Sequence, residues 1–475
     1  MRKQRTLFMG RIPEKSPKKH GENRPVPQRR FTAVATDQIE VRFSNTTATA
    51  FGGYPLWSAF LGRADLDAAF ARHIKMNRGA NAFTAPELSR FFIDSRILGA
   101  QRLMHVDAMR CDPMLTLSMG IDCLPSDETL GRYFKQYDAG NLASLDTMNV
   151  RLNNTQWKQA RRRGHKAITD GKVILDYDSS VMTVYGKQEG ADRGRSFRKK
   201  DNPGFQPKFA FIGGLGLMVN QQLYPQSTNL PKDFETFHRQ TLAKLPKTAK
   251  VWAIRGDGAL YSEARIEWLE RRYTYAISAA LTPHLQRAIA WIEEGQWEKH
   301  IDQEGRPCWI TRIQYRPATW SRARTYVISR RLRDLKGQGV LWDCEKYKYF
   351  AYVTNYRRPL FEQWSFCVER CSLEGYIKEG KSGLRYDALP CEELTANRAY
   401  LGHVQMAYNL AIWWKLSDAP AGVNRWTMAT VRQRLLTICG NLRRAMGRWI
   451  LSLPVWWPWQ TVYQEWASAG GLSPP

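Results

Sequence analysis

The sequence predicts an α/β fold in which a mixed sheet with covering helices is interrupted by a β-rich insertion and preceded by a helical region. Two observations lead to this prediction. In residues 166–282, short apolar runs typical of buried strands alternate with a helical stretch, which is the pattern of an α/β unit. In residues 283–361, strand-like stretches recur, and this change of character indicates a β-rich segment.

The charge of the chain indicates a polyanionic partner. Of 475 residues, 71 are Lys or Arg and 44 are Asp or Glu, so the formal net charge is +27. An excess of this size is unusual for a metabolic enzyme and favours nucleic acid as the partner. A membrane surface is the competing explanation, but the basic residues are spread along the chain and no amphipathic anchor helix stands out.

The composition argues against several other classes of protein. A hydrophobic content of 43% indicates a folded chain rather than a disordered one. The longest apolar run, 209–219, contains glycines and is too short to span a membrane. The eight cysteines show no Cys-x2-Cys pair and no zinc-site spacing. We therefore expect a cytoplasmic protein in a reducing compartment, with neither a membrane partner nor a small-molecule cofactor.

The first two segments are a basic arm and a helical region. Residues 1–50 begin with many arginines, lysines and prolines, which predicts a flexible arm that either contacts DNA phosphates or is a solvated tail. Residues 51–165 have helical spacing, and Pro125-Ser-Asp-Glu supplies a capped helix start. We expect this helical domain to bind DNA or to pair subunits, and a scaffold without DNA contact is the alternative.

Two strand-like runs end in acidic residues. Residues 173–175 lead into Asp176 and Asp178, whose side chains share one face of a strand. The run 249–254 likewise leads to Asp257, which a glycine follows. Because an unpaired buried carboxylate is costly, such acids are held by a metal, by a basic partner or at the solvent edge. The alternative at each position is an ordinary strand-end turn.

A third acidic residue lies on a predicted helix. Residues 362–420 return to helical spacing, and Arg370, Glu374 and Lys381 are separated by four and then seven positions. At about 3.6 residues per turn, the three side chains share one stripe of that helix. The alternative is a solvated stripe of ion pairs. A second helix over 395–415 has the spacing of core packing.

The last segment, 421–475, is basic and rich in tryptophan. Its arginines between positions 425 and 448 predict an amphipathic helical region. This region either lies on DNA or covers a neighbouring subunit, and both interpretations stay open.

Together these segments resemble one family. The matching motifs are Asp-Tyr-Asp-Ser-Ser at 176–180, Val-Tyr-Gly-Lys-Gln-Glu-Gly-Ala at 184–191, Arg-Gly-Asp-Gly at 255–258 and Arg-x3-Glu-x6-Lys at 370–381. They are similar to the acid motifs of DDE transposases from bacterial insertion sequences. The match is to the group that has a Tyr-x2-Arg-x3-Glu-x6-Lys signature and a β-rich insertion domain. The resemblance covers most of residues 85–415 and implies a ribonuclease-H-like sheet.

The resemblance implies the catalytic residues and their metal ions. Asp178, Asp257 and Glu374 would hold two Mg²⁺ ions, with Mn²⁺ as an alternative, because hard cations take oxygen ligands. Asp176 is the other candidate for the first ligand, and the usual Asp-x-Ser/Thr motif of the group favours Asp178. Cys367 stands where the signature has tyrosine, a position that the group links to holding DNA rather than metal.

The resemblance also implies the reaction and the partners. A cut-and-paste transposase binds double-stranded DNA at the terminal inverted repeats of its element, cleaves there, and joins the freed 3′-hydroxyl ends to target DNA. We expect a homodimer that is associated with the bacterial nucleoid. The alternatives are a transposase-derived DNA-binding protein that no longer cuts, and a metal-dependent endonuclease that cleaves without strand transfer.

The candidate DNA contacts are basic residues near the acids and one aromatic residue. Arg370 and Lys381 would face phosphates or balance the acidic cluster. Trp320, in the insertion, would stack on an unstacked base, although a tryptophan is commonly core. A basic loop after the first acids would touch the DNA backbone, unless it is only solvated. The remaining candidates are Lys378 and the loop residues Arg193, Arg195, Arg198, Lys199 and Lys200.

Overall fold

The computed structural model describes residue 36 and residues 39–43, 46–79, 82–194, 202–227, 234–302, 304–333 and 346–472. The chain forms two compact units, which we describe separately. The small unit comprises Met1–Arg63, Ala108–Leu124 and Trp414–Pro475, and the large unit comprises Ala64–Asp107 and Pro125–Trp413.

The strands are numbered in chain order. They are β1 (Ala48–Thr49), β2 (Lys172–Ser179), β3 (Met182–Thr183), β4 (Gly204–Phe205), β5 (Lys208–Ile212), β6 (Leu217–Gln222), β7 (Lys250–Gly256), β8 (Thr274–Ser278), β9 (Glu298–Ile301), β10 (Pro307–Tyr315), β11 (Arg324–Leu332), β12 (Tyr347–Thr354), β13 (Gly440–Ala445) and β14 (Arg448–Ser452).

The α-helices are numbered in the same way. They are α1 (Tyr54–Ala64), α2 (Leu66–His73), α3 (Ala85–Leu98), α4 (Pro113–Met119), α5 (Asp127–Lys135), α6 (Ala139–Arg162), α7 (Lys166–Thr169), α8 (Phe234–Lys244), α9 (Glu263–Glu270), α10 (Pro283–Ala290), α11 (Leu360–Val368), α12 (Ser372–Lys378), α13 (Leu394–Asp418), α14 (Met428–Val431) and α15 (Gln460–Ala469).

A mixed sheet forms the centre of the large unit. In the described residues its strand order is β6-β5-β2-β7-β8-β12-β11-β10-β9. The strands β6, β5 and β2 pair antiparallel, whereas β2, β7 and β8 pair parallel. This is the ribonuclease-H-like arrangement that the sequence analysis implied, so the predicted α/β fold class is confirmed.

The inserted strands extend this sheet. Strand β12 pairs antiparallel with β8, and β11, β10 and β9 follow it outward. Apolar residues of β7, β8 and the inserted strands share one core with α11, and Ala253, Cys308, Val327 and Cys367 belong to it. The insertion is therefore continuous with the central sheet, because both bury their apolar faces under the same helix.

Helix α13 joins the helical layer of the large unit to the sheet. His403 is fully buried among the hydroxyl groups of Ser89 and Tyr137, and burial lowers its pKa to about 4. It is therefore a neutral core residue. Two turns further on, Asn409 bonds both the N–H and the carbonyl of Met218 in β6. The long helix predicted over 395–415 is confirmed.

The helices expected between 51 and 165 are present, and they belong to both units: α1 and α4 lie mainly in the small unit, and α2, α3, α5 and α6 lie in the large one. The functional domain boundaries drawn from the sequence stay a prediction. No helix in the described ranges has the length and apolar character to cross a membrane.

The small unit corrects one prediction. We expected an amphipathic helical region within 421–475, but β13 and β14 form an antiparallel hairpin there and β13 also pairs with β1. Met446 and Gly447, which join the two strands, have φ values of 51° and 76°. Two successive left-handed residues make the tight turn that suits a hairpin and interrupt a helix. The prediction is wrong between 440 and 452.

Candidate active site

A buried ion pair lies at the centre of the sheet. Asp176 in β2 and Arg255 in β7 are neighbours in the parallel register. Arg255 donates from Nε to Oδ1 of Asp176 at 2.6 Å and from Nη2 to Oδ2 at 2.9 Å. Both side chains are almost completely buried, since Arg255 is 1% exposed and Asp176 is 0% exposed. Burial alone would lower the pKa of Arg255, but Asp176 raises it above its usual value.

The same arginine fixes a third element. Its Nη1 donates to the carbonyl of Phe366 at 3.1 Å, and it lies 3.3 Å from Oε2 of Glu369. The end of α11 is thereby held against β2 and β7. Gly213 makes room for the pair, because a Cβ atom there would lie 2.7 Å from both Arg255 and Asp176.

The predicted acids Asp178 and Asp257 lie beside each other at the ends of parallel strands. The register of β2 and β7 pairs Tyr177 with Gly256, and the next residue on each strand is one of these acids. Asp178 accepts a hydrogen bond from the N–H of Ser179 at 2.7 Å. Asp257 accepts one from the N–H of Ala259 at 3.1 Å and caps a short turn.

Asp178 is electrostatically coupled to both of the other predicted acids. Burial raises the pKa of Asp178 to about 6, Arg370 opposes this rise, and the carboxylates of Asp257 and Glu374 add to it. Burial also raises the pKa of Asp257, again against the effect of Arg370. Asp178 is therefore repelled by both other acids in a buried position, where a further positive charge would stabilise its carboxylate.

The segment that carries the third acid is less regular than predicted. Helix α11 ends at Val368 and is followed by a 3-10 turn, by α12 and then by a π-helical turn over Glu379–Gly383. The predicted helical character of the segment is confirmed, with 3-10 and π turns where the prediction assumed 3.6 residues per turn. The tight and wide turns nevertheless bring Arg370 and Lys381 back to the side that faces Asp178.

Asp178, Glu374, Lys378 and Lys381 line one open cavity of about 290 Å³. Arg370 places Nη2 3.4 Å from Oδ2 of Asp178, and these side chains are 12% and 15% exposed. Of the two roles expected for Arg370, the structure therefore favours balancing the acids. Lys381 donates to the hydroxyl of Ser180 at 2.6 Å and to the carbonyl of Val181 at 3.1 Å.

Asp176 is corrected as a metal-ligand candidate. It shares a strand with Asp178, but both of its oxygens are bonded to Arg255, so it has no free oxygen directed at an ion. Asp178 lines the open cavity instead. The two acids differ in depth, because Asp176 is fully buried within β2 whereas Asp178 lies near the carboxyl end of that strand.

The donor set fits a hard divalent cation in its chemistry. Asp178, Asp257 and Glu374 offer only oxygen ligands, which Mg²⁺ and Mn²⁺ prefer. Arg370 already supplies one positive charge to this cluster, and its Nε has no hydrogen-bond partner in the described part of the chain. Among the described residues, no group of three or more acidic, His or Cys side chains could hold one ion.

Trp320 is corrected as a base-stacking residue. Its side chain is 7% exposed, with the Tyr261 ring 5.0 Å away on one side and the Arg324 guanidinium 4.9 Å from its centroid. Arg324 is itself paired with glutamates of α9. No face of Trp320 is open to a base, because the indole anchors the inserted hairpin to this helix.

The basic loop is only partly described. Arg193 is exposed, as a contact with the DNA backbone requires. The other loop candidates, Arg195, Arg198, Lys199 and Lys200, lie outside the described residues. Cys367, at the position of the signature tyrosine, is fully buried in the core under α11. Burial raises the pKa of its thiol, so this residue packs and does not face a partner.

Sequence reasoning missed Arg255 and Ser180. A signal for Arg255 was available, because it lies two positions before Asp257 just as Asp176 lies two positions before Asp178. Opposite charges at equal offsets in two parallel strands predict a buried pair. Ser180 had no comparable signal, because its contact with Lys381 joins positions that are 201 residues apart.

Comparisons with known proteins identify the family of this chain. The chain matches the family profile described as transposase DDE domain group 1 over residues 31–469. No curated protein matches it. A piggyBac transposase synaptic complex with hairpin DNA is 11% identical over 81% of this chain and 80% of its own, with a TM-score of 0.40. The Drosophila P element transposase strand transfer complex is 14% identical over 50% of each chain, with a TM-score of 0.23. At these TM-scores neither structure indicates how this chain acts.

The buried pair generates a stability prediction. Asp176→Asn leaves the Arg255 charge buried without its counter-charge, so we expect the free energy of unfolding to fall by about 3 kcal/mol. Glu369→Gln is the control, because Glu369 is 46% exposed and its loss should cost less than about 1 kcal/mol. Urea unfolding followed by circular dichroism measures both. Equal effects of the two substitutions would contradict the central role of the pair.

The raised pKa of Asp178 generates a pH prediction. Its folded pKa of about 6 exceeds the ordinary 3.8, so the folded state holds a proton that the unfolded state loses between these values. Stability from this group is present below pH 4 and is lost as pH rises to 6. In the presence of a metal chelator, the free energy of unfolding of Asp178→Asn should equal that of the wild type near pH 4. Above pH 6 it should be larger than the wild-type value by up to about 3 kcal/mol.

Thermal unfolding between pH 4 and pH 8 measures that difference. The control is Glu362→Gln, on the exposed part of α11. A difference between Asp178→Asn and wild type that stays constant over the whole range would show that the carboxyl of Asp178 is not destabilised by its surroundings.

Proposed function

Since the chain belongs to the transposase DDE domain group 1 family, we propose that it is a DNA transposase that cuts and rejoins DNA. It binds the terminal inverted repeats of a bacterial insertion sequence, cleaves phosphodiester bonds at the element ends and joins the 3′-hydroxyl ends to target DNA. The observation that supports this most is the acidic cluster, in which Asp178 has its pKa raised to about 6 beside Asp257 and Glu374.

Each acid has a role in this proposal. Asp178 would be shared by two divalent ions, with Asp257 completing the ligands of one ion and Glu374 those of the other. When bound, the ions stabilise charge on the attacking and leaving oxygens of an in-line displacement. A sharing arrangement needs only two carboxylates at each ion. The electrostatic effect of both other acids on Asp178 supports this assignment, because each of them raises its pKa.

The basic residues position the substrate. Lys381 is tied to the end of β2 through Ser180 and the carbonyl of Val181, so its charge stays at the cavity. Lys378 is exposed at the same cavity. We propose that both lysines face the DNA phosphates, while Arg370 offsets the repulsion among the acids before DNA and ions arrive. An arginine within the cluster reduces the repulsion that would otherwise push the strand ends apart.

The partner we propose is double-stranded DNA at the element ends and at the target. The net charge of +27 supports a polyanionic partner, since lysines and arginines release counterions from DNA phosphates. We further propose a homodimer, with one copy at each element end, which acts on the bacterial nucleoid in the cytoplasm. Inverted repeats that flank the gene would test the origin from an insertion sequence directly.

One observation favours a second candidate function. Arg370 lies 3.4 Å from Asp178 and occupies the positive position that an ion would take. A chain in which this pair persists would bind DNA without cutting it. The third candidate, an endonuclease without strand transfer, differs only in the fate of the cut end, so joining must be measured separately from cleavage.

The roles of the acids generate the third prediction. Asp178→Ala, Asp257→Ala and Glu374→Ala should each abolish Mg²⁺-dependent nicking of plasmid DNA that carries the element ends, while DNA affinity changes less than about threefold. Glu362→Ala is the control and should cut normally. Cleavage that survives in one variant removes that residue from the site. A wild-type protein that binds DNA and never cuts would establish the inactive alternative.

The joining step generates the fourth prediction. Wild-type protein given pre-cut element ends with free 3′-hydroxyls and a supercoiled target should produce covalently joined products, because the same acids serve both displacements. Ends that terminate in a 3′-deoxy nucleotide are the matched control and should give none. Efficient cleavage together with no joined product would assign the chain to the endonucleases.

A further inference from the structure

The hairpin of the small unit exposes the features of a binding element. Strands β13 and β14 are joined by Met446 and Gly447, and the side chains around this turn are exposed. Leu442, nearer the base, is buried with 4% exposure. The base of the hairpin is therefore anchored in the core of the small unit, while its tip is free of that core.

Met446, at the tip of the hairpin, combines a strained backbone with a fully exposed side chain. It has a φ of 51°, a left-handed conformation that asparagine or glycine adopts at lower cost. Its side chain is also fully exposed, at 103%, so packing within the chain does not offset this backbone strain. Trp449, which stands opposite Arg444 in the register, is 53% exposed as well. Strain at a fully exposed apolar residue points to a partner outside the fold.

The charge of the hairpin indicates the chemistry of that partner. Arg443, Arg444 and Arg448 are exposed, and the sequence between 440 and 452 contains no acidic residue. None of the three arginines has an ion-pair partner among the described residues. Three cations beside an apolar tip match a duplex, which has phosphates along its backbones and the apolar methyl groups of thymines in its major groove.

We propose that the β13–β14 hairpin enters the major groove of double-stranded DNA. A two-stranded ribbon fits that groove. The arginines bond the phosphates on either side, and Met446 contacts base edges at the floor. This inference rests on the proposed function and deepens it, because it assigns a DNA-holding surface to the unit that does not contain the acids.

A second copy of the chain is the less favoured occupant. A two-fold contact between hairpins would bring two sets of Arg443, Arg444 and Arg448 together without an acid to separate them, and like charges held close together repel. Sedimentation of the variants described below distinguishes this case from DNA binding.

The test measures DNA affinity against salt. The probe is a fluorescent 30-base-pair duplex, and anisotropy gives the slope of log K against log salt concentration. The triple variant Arg443→Gln, Arg444→Gln, Arg448→Gln should lower the magnitude of the slope by about 2 to 3, because each phosphate contact contributes about 0.9. The control variant removes the same charge from exposed positions of the large unit and carries Arg271→Gln, Arg287→Gln and Arg312→Gln. It should lower the magnitude of the salt slope by less than about 1.

A second variant separates the tip from the charges. Met446→Asn suits the left-handed turn, so the hairpin should be retained and the melting temperature should not fall. We expect DNA affinity to drop about tenfold, the size of effect that one apolar side chain gives, with the salt slope unchanged. An unchanged affinity of this variant overturns the contact at the tip.

The other outcomes are also decisive. Equal salt slopes for the hairpin variant and the wild type overturn the inference and leave the proposed function intact. A control variant whose slope falls as much as that of the hairpin variant has the same consequence. A hairpin variant that changes the sedimentation of the protein but not the salt slope assigns the surface to a second copy. Wild-type protein without DNA affinity would instead defeat the proposed function itself.

Discussion

The buried pair of Asp176 and Arg255 is the constraint on which the site depends. Two bonds at 2.6 and 2.9 Å fix β2 against β7, and a third bond from the same guanidinium fixes the end of α11. A bidentate pair of this kind gives orientation as well as energy. Since Asp178 and Asp257 follow the pair by two residues on their strands, their relative position is set by it. The segment that carries Glu374 begins where the third bond ends.

Around this neutral anchor the chain places charges that oppose one another. Asp178 is repelled by Asp257 and Glu374, and burial raises the pKa of both Asp178 and Asp257. Arg370 offsets part of that rise. The result is a cluster with excess negative charge within an otherwise strongly basic chain, and this contrast supports a site for divalent cations next to a surface for DNA. The fold supplies the rigidity that such a cluster requires, because an unsupported group of like charges would separate.

The two compact units divide these tasks in our proposals. The large unit contains the acids at the edge of a sheet that the inserted strands extend, and Trp320 and Arg324 stabilise that extension internally. The small unit presents the exposed arginines and the strained Met446 on a hairpin. The two units therefore use tryptophan differently. Trp320 is a core residue of the insertion, whereas Trp449 stands at the surface.

Local patterns in the sequence determined the strands, the acids at the strand ends and the long helix at 394–418, because periodicity and apolar runs reflect how each element is buried. Tertiary structure decided what those patterns do not contain. Asp176 and Asp178 have the same residue type and share a face, but only Arg255, 79 positions from Asp176, determines which is sequestered. Strand β13 likewise pairs with β1, which is almost 400 positions away. Contacts between distant positions leave no period in the chain, so they emerge only when it is folded.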